Sequence, residues 1–371
     1  MIVGTLREAK DNEYRVGLTP ESVRELVAHG HEVVVESGAG RGIDASDEAY
    51  ERAGARVVAD AEAVFAAAEL IVKVKELLAK ERGRLREHHV LFTYLHLAPD
   101  PEQTAALLDS GATCIAYETV TDRTGGLPLL RPMSQVAGRM SIQAGASALE
   151  KEHGGRGVLV GGVPGVAPAK VLVVGGGVVG MNAAQMAVGL GGDVTILDRD
   201  PVVLERLATH FEARAKTRFA ARAVVDETVA DADLVVGAVL VPGARAPRLV
   251  SRDMLATMRP GAVLVDVAID QGGCFETSRP TTHAAPTYVE GGIVHYAVAN
   301  MPGAVARTST YALNNATLPH VLAIADRGWR DAMTADPHLR AGLNVHAGHV
   351  TNPAVAEALG YDLVAPEDVL G

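Results

Sequence analysis

Residues 170–187 constrain the fold of this 371-residue chain more than any other segment. A run of β-branched residues leads directly into the pattern G-x-G-x-x-G, formed by Gly175, Gly177 and Gly180, and a stretch of small residues follows. The first glycine permits a tight turn, the second lets a pyrophosphate approach the backbone, and the third lets a helix pack close to the strand. The segment therefore predicts a strand, a phosphate-binding turn and a helix whose first N–H groups face the phosphates.

A short apolar run, residues 194–197, follows this helix and ends at Asp198. The acid lies 18 positions after Gly180, about where a carboxylate meets the ribose hydroxyls of NAD. Arg199 comes next, and an Arg near this point can instead accommodate the 2′-phosphate of NADP. Because Asp198 should repel that phosphate, the sequence favours NAD as the cofactor and leaves some use of NADP open.

The uncharged stretch 171–192 has an alternative interpretation as a membrane span. A membrane helix needs about 20 predominantly apolar residues in one helical run, whereas this stretch contains seven glycines together with Asn182 and Gln185. A buried parallel strand followed by a small-residue helix explains the composition better.

Composition narrows the class of protein. Hydrophobic residues make up 48% of the chain and charged residues 21%, which allows a sizeable core in two or three domains. Only two cysteines occur, Cys114 and Cys274, and this favours a reducing, cytoplasmic setting over a disulfide framework. No export signal is visible at the N-terminus. A formal net charge of −11 disfavours nucleic acid and anionic membranes as partners.

Short strands alternate with helical patterns along the whole chain, which predicts parallel sheets covered by helices. We expect an α/β protein with two Rossmann-like, doubly wound parallel-sheet domains, the nucleotide domain being inserted in the substrate domain. The substrate and catalytic domain is expected at residues 1–128 and 307–371, and the NAD-binding domain at residues 129–306. The predicted strands are residues 2–5, 32–36, 70–74, 90–94 and 114–117 in the first domain, and a strand from Lys170 with 194–197, 234–238, 263–266 and 293–296 in the second.

Three helices are readable in detail. Residues 19–30 have an N-cap in Thr19, a proline at the first helical position and a glycine at the end. Residues 132–152 predict one long helix, rich in small residues, that crosses from one domain to the other. Residues from 308 to 329 predict a return helix that continues past Pro319.

Charged side chains occur where strands of the first domain should end. Lys75 follows the strand predicted at 70–74, His96 follows the strand at 90–94, and Arg15 lies in the polar loop after the first strand. Because ligands of open α/β sheets bind outside the carboxyl ends of the strands, these groups are candidates for one site. Each also has an ordinary structural interpretation, and the pattern alone does not separate Lys75 from Lys73.

In the second domain, Asp270 follows the strand at 263–266 and would face the nicotinamide, although it would also suit a turn cap. Residues 299–303 form another loop expected at that edge. Ser134, near the start of the crossing helix, is a candidate to bind phosphate or carboxamide, or to cap the helix. We expect no metal site, because the histidines are scattered. No G-x-S-x-G or Walker A motif occurs.

From end to end the chain resembles bacterial alanine dehydrogenase, and the nucleotide-binding subunit of proton-translocating transhydrogenase is a relative of the same architecture. The resemblance rests on the stretches REAKDNEYRV (7–16), VKVKE (72–76), LFTYLHL (91–97), MSQVAGR (133–139), GGVPGV (161–166) and DVAIDQGGCFETSRPTT (266–282).

The resemblance implies reversible, NAD-dependent oxidative deamination of L-alanine to pyruvate and ammonia. It implies that Arg15 and Lys75 bind the substrate, that His96 and Asp270 act in catalysis, and that the protein is a hexamer. Domain closure would bring Asp270 to the groups of the first domain and exclude water. The expected cofactor-binding residues are Ser134, Gly175, Gly177, Val178, Val179, Gly180, Asp198, Val239, Leu240, Val267, Ala268, Ile269, Arg279, Val298, Ala299, Asn300 and Met301.

Two alternatives stay open. The chain would also fit an NAD(H)-binding module that passes hydride to a membrane partner, although the set Arg15, Lys75 and His96 disfavours this. A dehydrogenase for another small amino acid, such as glycine or serine, is the other alternative, because the width of a pocket is not readable from sequence.

Overall fold

The structure is a computed structural model that describes residues 1–239 and 247–370. The chain divides into two compact units. The first unit comprises Met1–Met133 and Gly303–Gly371, and the second comprises Ser134–Pro302, so the second is an insertion in the sequence of the first.

Strands and helices alternate through both units. The strands are β1 (Ile2–Thr5), β2 (Glu32–Glu36), β3 (Arg56–Val58), β4 (Leu70–Val72), β5 (Val90–Thr93), β6 (Thr113–Ala116), β7 (Lys170–Val174), β8 (Asp193–Asp198), β9 (Ala215–Phe219), β10 (Leu234–Gly237), β11 (Val263–Asp266), β12 (Thr287–Glu290), β13 (Ile293–Tyr296), β14 (Leu343–His346) and β15 (His349–Val350). The α-helices are α1 (Pro20–Ala28), α2 (Asp47–Ala53), α3 (Ala61–Ala67), α4 (Ala79–Arg82), α5 (Pro101–Ser110), α6 (Arg131–Ala148), α7 (Val178–Gly189), α8 (Pro201–Phe211), α9 (Arg222–Asp231), α10 (Arg252–Leu255), α11 (Ala306–Arg327), α12 (Trp329–Ala335), α13 (Pro337–Arg340), α14 (Pro353–Leu359) and α15 (Pro366–Leu370).

The sheet of the first unit has the strand order β15-β14-β6-β5-β4-β1-β2-β3. Strands β1 to β6 are parallel, while β14 pairs antiparallel with β6 and with β15. The order reverses between β1 and β4, and such a switch point opens a crevice at the carboxyl ends of the strands. The loops that follow β1, β4 and β5 therefore begin beside one another.

The described strands of the second unit form a sheet in the order β12-β13-β11-β10-β7-β8-β9. All pairs are parallel except β12 with β13. Here the order reverses between β7 and β10, directly beside the turn that carries the glycine motif. The predicted α/β class, with two doubly wound and largely parallel sheets, is confirmed.

Local sequence signals explain the elements that were predicted well. The Thr19 side chain accepts a hydrogen bond from the backbone N–H of Ser22, and Pro20 occupies the first turn of α1, as expected of a capped helix start. The bounds predicted for β1, β2, β11 and β13 are those observed. The stretch 171–192 forms β7 and α7, which confirms the strand-and-helix interpretation.

Other predicted elements differ from the structure. The crossing helix was predicted at 132–152, but α6 ends at Ala148 and a 3₁₀ turn, Lys151–His153, follows it. The return helix contains Pro319 as predicted and ends at Arg327, before Gly328 at φ +78°. Strands β3, β9, β12, β14 and β15 were not predicted. Among the described helices, none has the length and apolar character needed to cross a bilayer.

Candidate functional site

The glycine turn, residues 175–180, joins β7 to α7 in the second unit. Gly175 has φ +104°, and a Cβ there would meet the carbonyl oxygen of Ala238 at 2.8 Å. A Cβ on Gly180 would lie 1.7 Å from the carbonyl oxygen of Gly175, so this position must lack a side chain for the helix to start here. Gly177, the N-cap of α7, has no such neighbour within 4 Å. Its missing side chain leaves open space before the first N–H groups of the helix, which fits a pyrophosphate.

Asp198, the last residue of β8, is tied to this turn. Its Oδ2 accepts a hydrogen bond of 2.6 Å from the backbone N–H of Gly176, and its Oδ1 accepts one of 2.9 Å from Asp200. The carboxylate is half-buried beside the glycine turn, as a group that binds a ribose should be. Arg199 is exposed.

The loop after β11 carries Asp270 and is shaped by another acid, Asp266. The buried Asp266 carboxylate accepts hydrogen bonds from the backbone N–H groups of Ala268, Cys274 and Phe275 and from the hydroxyl of Ser278. Burial raises the pKa of Asp266 despite these donors. Asp270 lies exposed in the 3₁₀ turn Ile269–Gln271, where the cap position belongs to Ala268, so a capping role for Asp270 is wrong.

The other residues expected at the cofactor follow strands of the same sheet or lie close to them in sequence. Val178 and Val179 begin α7, Val239 follows β10, and Arg279 stacks its guanidinium 4.0 Å from the ring centre of Tyr288. Leu240 lies outside the described residues. Ser134 is half-buried within the first turn of α6, and because this helix begins at Arg131, the capping interpretation of Ser134 is wrong. The remaining positions follow β11 or β13: Val267, Ala268, Ile269, Val298, Ala299, Asn300 (φ +60°) and Met301.

In the first unit, we call Arg15, Lys75 and His96 with the acids that contact them the charged corner. Arg15 is buried, and its guanidinium donates to both carboxylate oxygens of Glu13, through Nε and Nη2, at 2.6 Å each. Burial alone would lower the pKa of Arg15, but Glu13 raises it. Its Nη1 also lies 2.9 Å from the sulfur of Met133. The guanidinium is therefore charged and its plane is fixed.

The structure separates Lys73 from Lys75. Lys73 is fully buried, and its ammonium lies 3.1 Å from Glu8 and 3.2 Å from Glu81. Burial acts to lower the pKa of Lys73, but the two carboxylates raise it. Lys75 is only half-buried; its N–H donates to Glu8 and its carbonyl accepts from Thr93. Lys73 thus belongs to an internal ion network, and Lys75 is the less buried of the two lysines.

His96 lies two residues beyond the predicted strand and three beyond the observed one. It adopts the left-handed conformation, with φ +51°, and its side chain is 46% exposed. The backbone N–H of His96 donates to Glu118 at 2.6 Å, and the imidazole stacks on Tyr94 with ring planes 4° apart. An exposed imidazole on a fixed backbone is suited to transfer protons.

Three acids of the charged corner were not predicted: Glu8, Glu13 and Glu118. Glu118 follows β6, so the rule that pointed to His96 at the end of β5 also pointed to Glu118. Glu8 and Glu13 lie in the same polar loop as Arg15, where nothing in the pattern indicates their contacts. Within 1–239 and 247–370, no group of His, Cys, Asp or Glu is arranged to hold a metal ion.

Comparison with known proteins gives the family. Residues 4–137 match the model of the N-terminal domain of alanine dehydrogenase/PNT, and residues 141–353 match that of its C-terminal domain. Alanine dehydrogenase from Halomonas elongata is 60% identical over 371 residues, all of both chains, and that from Mycobacterium tuberculosis is 53% identical over 370 residues, again all of both.

Solved structures agree with these matches. An L-alanine dehydrogenase superimposes with a TM-score of 0.95 at 51% identity, over 97% of this chain and 99% of that one. A transhydrogenase from Sinorhizobium meliloti superimposes with a TM-score of 0.81 at 30% identity, over 95% of this chain and 100% of that one. The chain therefore belongs to the alanine dehydrogenase/PNT family.

Proposed function

We propose that this chain is an NAD-dependent L-alanine dehydrogenase, an oxidoreductase acting on a CH–NH₂ group. It would convert L-alanine, NAD⁺ and water to pyruvate, ammonium, NADH and a proton, reversibly. The observation that carries the proposal is the 60% identity, over the whole of both chains, to an alanine dehydrogenase. The charged corner and the glycine turn supply the two kinds of group that the reaction needs.

The glycine turn is proposed to hold the cofactor. The open space at Gly177 and the first N–H groups of α7 suit its pyrophosphate, and Asp198 suits the adenosine ribose. When bound, NAD⁺ accepts the hydride from the α-carbon of the amino acid. Asp198 favours NAD over NADP, because a carboxylate repels a 2′-phosphate, and the exposed Arg199 is the residue through which NADP could still be accepted.

The charged corner is proposed to hold the amino acid. Arg15 donates two parallel N–H···O bonds to the carboxylate of Glu13, which fix the plane of its guanidinium. We expect this guanidinium to bind the substrate. Lys75 is expected to bind the oxygen that becomes the keto group of pyruvate. His96 is expected to take and return the protons released as water adds and ammonia leaves. Asp270, in the other unit, is expected to orient the water or ammonia.

Further properties are proposed from the resemblance and the composition. We propose a cytoplasmic protein, since only two cysteines occur, both buried and free. We propose a homo-oligomer, specifically a hexamer, with L-alanine, pyruvate and ammonia as its small-molecule substrates. We also propose that the first unit binds the substrate and the second binds NAD.

A second candidate is a nucleotide-binding module of a transhydrogenase-type assembly. The structural match to the Sinorhizobium meliloti transhydrogenase over 95% of this chain supports it. It is the weaker candidate, since the alanine dehydrogenases are more similar both in sequence and in structure. A third possibility keeps the dehydrogenase and changes the amino acid to glycine or serine.

One spectrophotometric panel tests these candidates. The purified chain is mixed with L-alanine, glycine or L-serine and with NAD or NADP, and reduced cofactor is measured. We expect rapid NADH formation with L-alanine and NAD. Asp270→Asn should lower turnover by more than about 100-fold, while NADH still binds. A wild-type chain that forms no reduced cofactor from any amino acid would contradict the dehydrogenase, and full turnover by D270N would contradict the role of Asp270.

A further inference from the structure

We propose that Glu118 is a positioning residue that acts through His96, by holding the backbone of residues 95 and 96 in the conformation that presents the imidazole. This inference rests on the proposed function, because it takes His96 as the group that moves protons.

The backbone at His96 is in a conformation that L-residues avoid. At φ +51° it lies in the left-handed region, where the Cβ of a residue other than glycine approaches its own carbonyl. Such residues persist only where the surroundings impose them, and they concentrate at functional sites. Something outside β5 must therefore hold His96 in this conformation.

Glu118 is placed to do this. Its Oε1 accepts hydrogen bonds from two consecutive backbone N–H groups, 2.6 Å from His96 and 3.1 Å from Leu95, and its Oε2 lies 3.2 Å from Leu95. On the other side of Leu95, the side-chain amide of Gln103 donates to the backbone carbonyl of Leu95 at 2.7 Å. The turn after β5 is thus held by hydrogen bonds to two side chains from other elements, those of Glu118 and Gln103.

The imidazole is oriented by the same arrangement. It lies parallel to the ring of Tyr94, with centroids 5.8 Å apart, and the Tyr94 hydroxyl is fixed by a 2.7 Å bond to the carbonyl of Leu129. The Oε1 of Glu118 is 3.7 Å from Nδ1 of His96, beyond hydrogen-bond range, whereas the backbone contact is short. The main effect of Glu118 is therefore to position the backbone of residues 95 and 96.

Glu118 lies in a turn that contacts the C-terminal part of the first unit. It lies in the 3₁₀ turn Tyr117–Thr119, and the side chain of Asn344, on β14, donates to the Thr119 hydroxyl at 2.8 Å. The Glu118 side chain is only 16% exposed. Contacts thus run from the antiparallel strand β14 through this turn to His96. We infer that β14 helps to position the turn that holds His96.

Substitutions at Glu118 separate a backbone contact from a charge effect. Glu118→Ala removes the acceptor, and we expect kcat for alanine oxidation to fall about 100-fold, the effect of a small misplacement of a catalytic group. The KM for alanine should change less than about threefold, since Arg15 and Lys75 bind the substrate. Glu118→Gln keeps an acceptor oxygen, so its kcat should stay within about threefold of wild type. Amide exchange of the peptide containing residues 95 and 96 should be fast in E118A and slow in E118Q.

Asp47 offers a matched control. Its Oδ1 accepts a 2.7 Å bond from the N–H of Gly38, another left-handed residue at φ +75°, outside the charged corner. Asp47→Ala and E118A should both lower thermal stability, because each removes an acceptor of a backbone N–H group, but Asp47→Ala should leave kcat unchanged. In a His96→Ala background, adding E118A should cause little further loss of kcat, because both changes act on one group.

Several results would overturn the proposal: E118Q as inactive as E118A, a loss in E118A no larger than in D47A, or additive losses in the double variant. If E118A does not fold, Glu118→Asp serves instead, since its shorter side chain withdraws the acceptor; a kcat for E118D equal to that of E118Q would contradict the proposal. A wild-type chain without alanine-dependent NADH formation refutes the proposed function instead, while the exchange measurement still reports on the contact.

Discussion

The glycine turn of the second unit and the charged corner of the first unit are fixed by opposite means. In the glycine turn, backbone packs on backbone, and a Cβ on Gly180 would lie 1.7 Å from a carbonyl oxygen. In the charged corner, each proposed functional group is held by an acid: Arg15 by Glu13, the backbone of Lys75 by Glu8, and the backbone of His96 by Glu118. The glycine turn depends on the absence of side chains, because its backbone segments pack closely. The charged corner depends on acidic side chains that accept hydrogen bonds.

The difference follows from what each region is proposed to bind. A pyrophosphate can be bound by backbone N–H groups at a helix start, so the chain only has to approach closely. An amino acid undergoing proton transfers needs a cation and an imidazole at fixed distances, and these require partners of opposite charge or with acceptor oxygens. The glycine turn should therefore fail when atoms are added, and the charged corner when they are removed.

The largest effect is expected at Lys73, compared with its neighbour Lys75. Lys73→Met leaves Glu8 and Glu81 buried without a cation, which should cost about 3–5 kcal/mol of stability and lower Tm sharply. Lys75→Met should lower Tm much less, because Lys75 is half-buried whereas Lys73 is fully buried, and should lower turnover by about 100-fold. Thermal melts and steady-state kinetics on both variants give the comparison. A Tm for K73M equal to that of wild type would show that the buried ion network of Lys73, Glu8 and Glu81 does not stabilise the charged corner.

An intermediate effect is expected when a methyl group is added to the glycine turn. Gly180→Ala should destabilise the protein by about 1–3 kcal/mol, the usual cost of overpacking, and abolish NADH binding, because the backbone of Gly175 must move. Gly177 has φ −67°, and a Cβ added there would have no neighbour within 4 Å. The Tm of Gly177→Ala should therefore match that of wild type. Its affinity for NADH should nonetheless fall at least about tenfold, since the methyl group occupies the space proposed for the pyrophosphate. Fluorescence titration with NADH measures this, and an unchanged affinity in G177A would contradict the proposed cofactor position.

The two regions also differ in how far the sequence predicts them. The glycine turn is local: Gly175, Gly177, Gly180 and Asp198 fall within one strand–helix–strand unit, and their spacing specifies their placement. The helix α1 was readable for the same reason, since its cap and its first-turn proline are neighbours in sequence.

The charged corner was readable only in part. The carboxyl-end rule predicted that Arg15, Lys75 and His96 follow strands, but two of their three holding contacts join residues far apart in sequence: 22 positions between His96 and Glu118, and 67 between Lys75 and Glu8. Lys73 and Lys75 looked equivalent because the strand was predicted to continue to residue 74. In the structure β4 ends at Val72, so the alternation of faces no longer applies to these lysines. Strand β9 was missed because its sequence, AKTRF, lacks the apolar pattern of a buried strand.

The smallest effect concerns a feature that the two units share, a buried neutral histidine. In the first unit, Nδ1 of His89 accepts a 2.9 Å bond from the N–H of Arg86, so Nε2 carries the proton and donates to the carbonyl of Phe65 at 2.8 Å. Burial lowers the pKa of His89, and burial likewise lowers that of His295 in the second unit.

The sign of the pH effect follows from this shift. Below about pH 6.5 the unfolded chain protonates His89 while the folded chain resists it. Stability is therefore complete above that pH and falls as the pH drops toward the lower pKa of the folded state. One such group contributes a slope of at most about 1.4 kcal/mol per pH unit. We expect His89→Gln to flatten the dependence of Tm on pH between about 6.5 and 5. His295, His320 and His346, whose pKa values burial also lowers, should still contribute to the slope. His88→Gln, a change at the exposed neighbour, should leave the slope unchanged, and equal slopes in all three proteins would show that His89 does not titrate differently on unfolding.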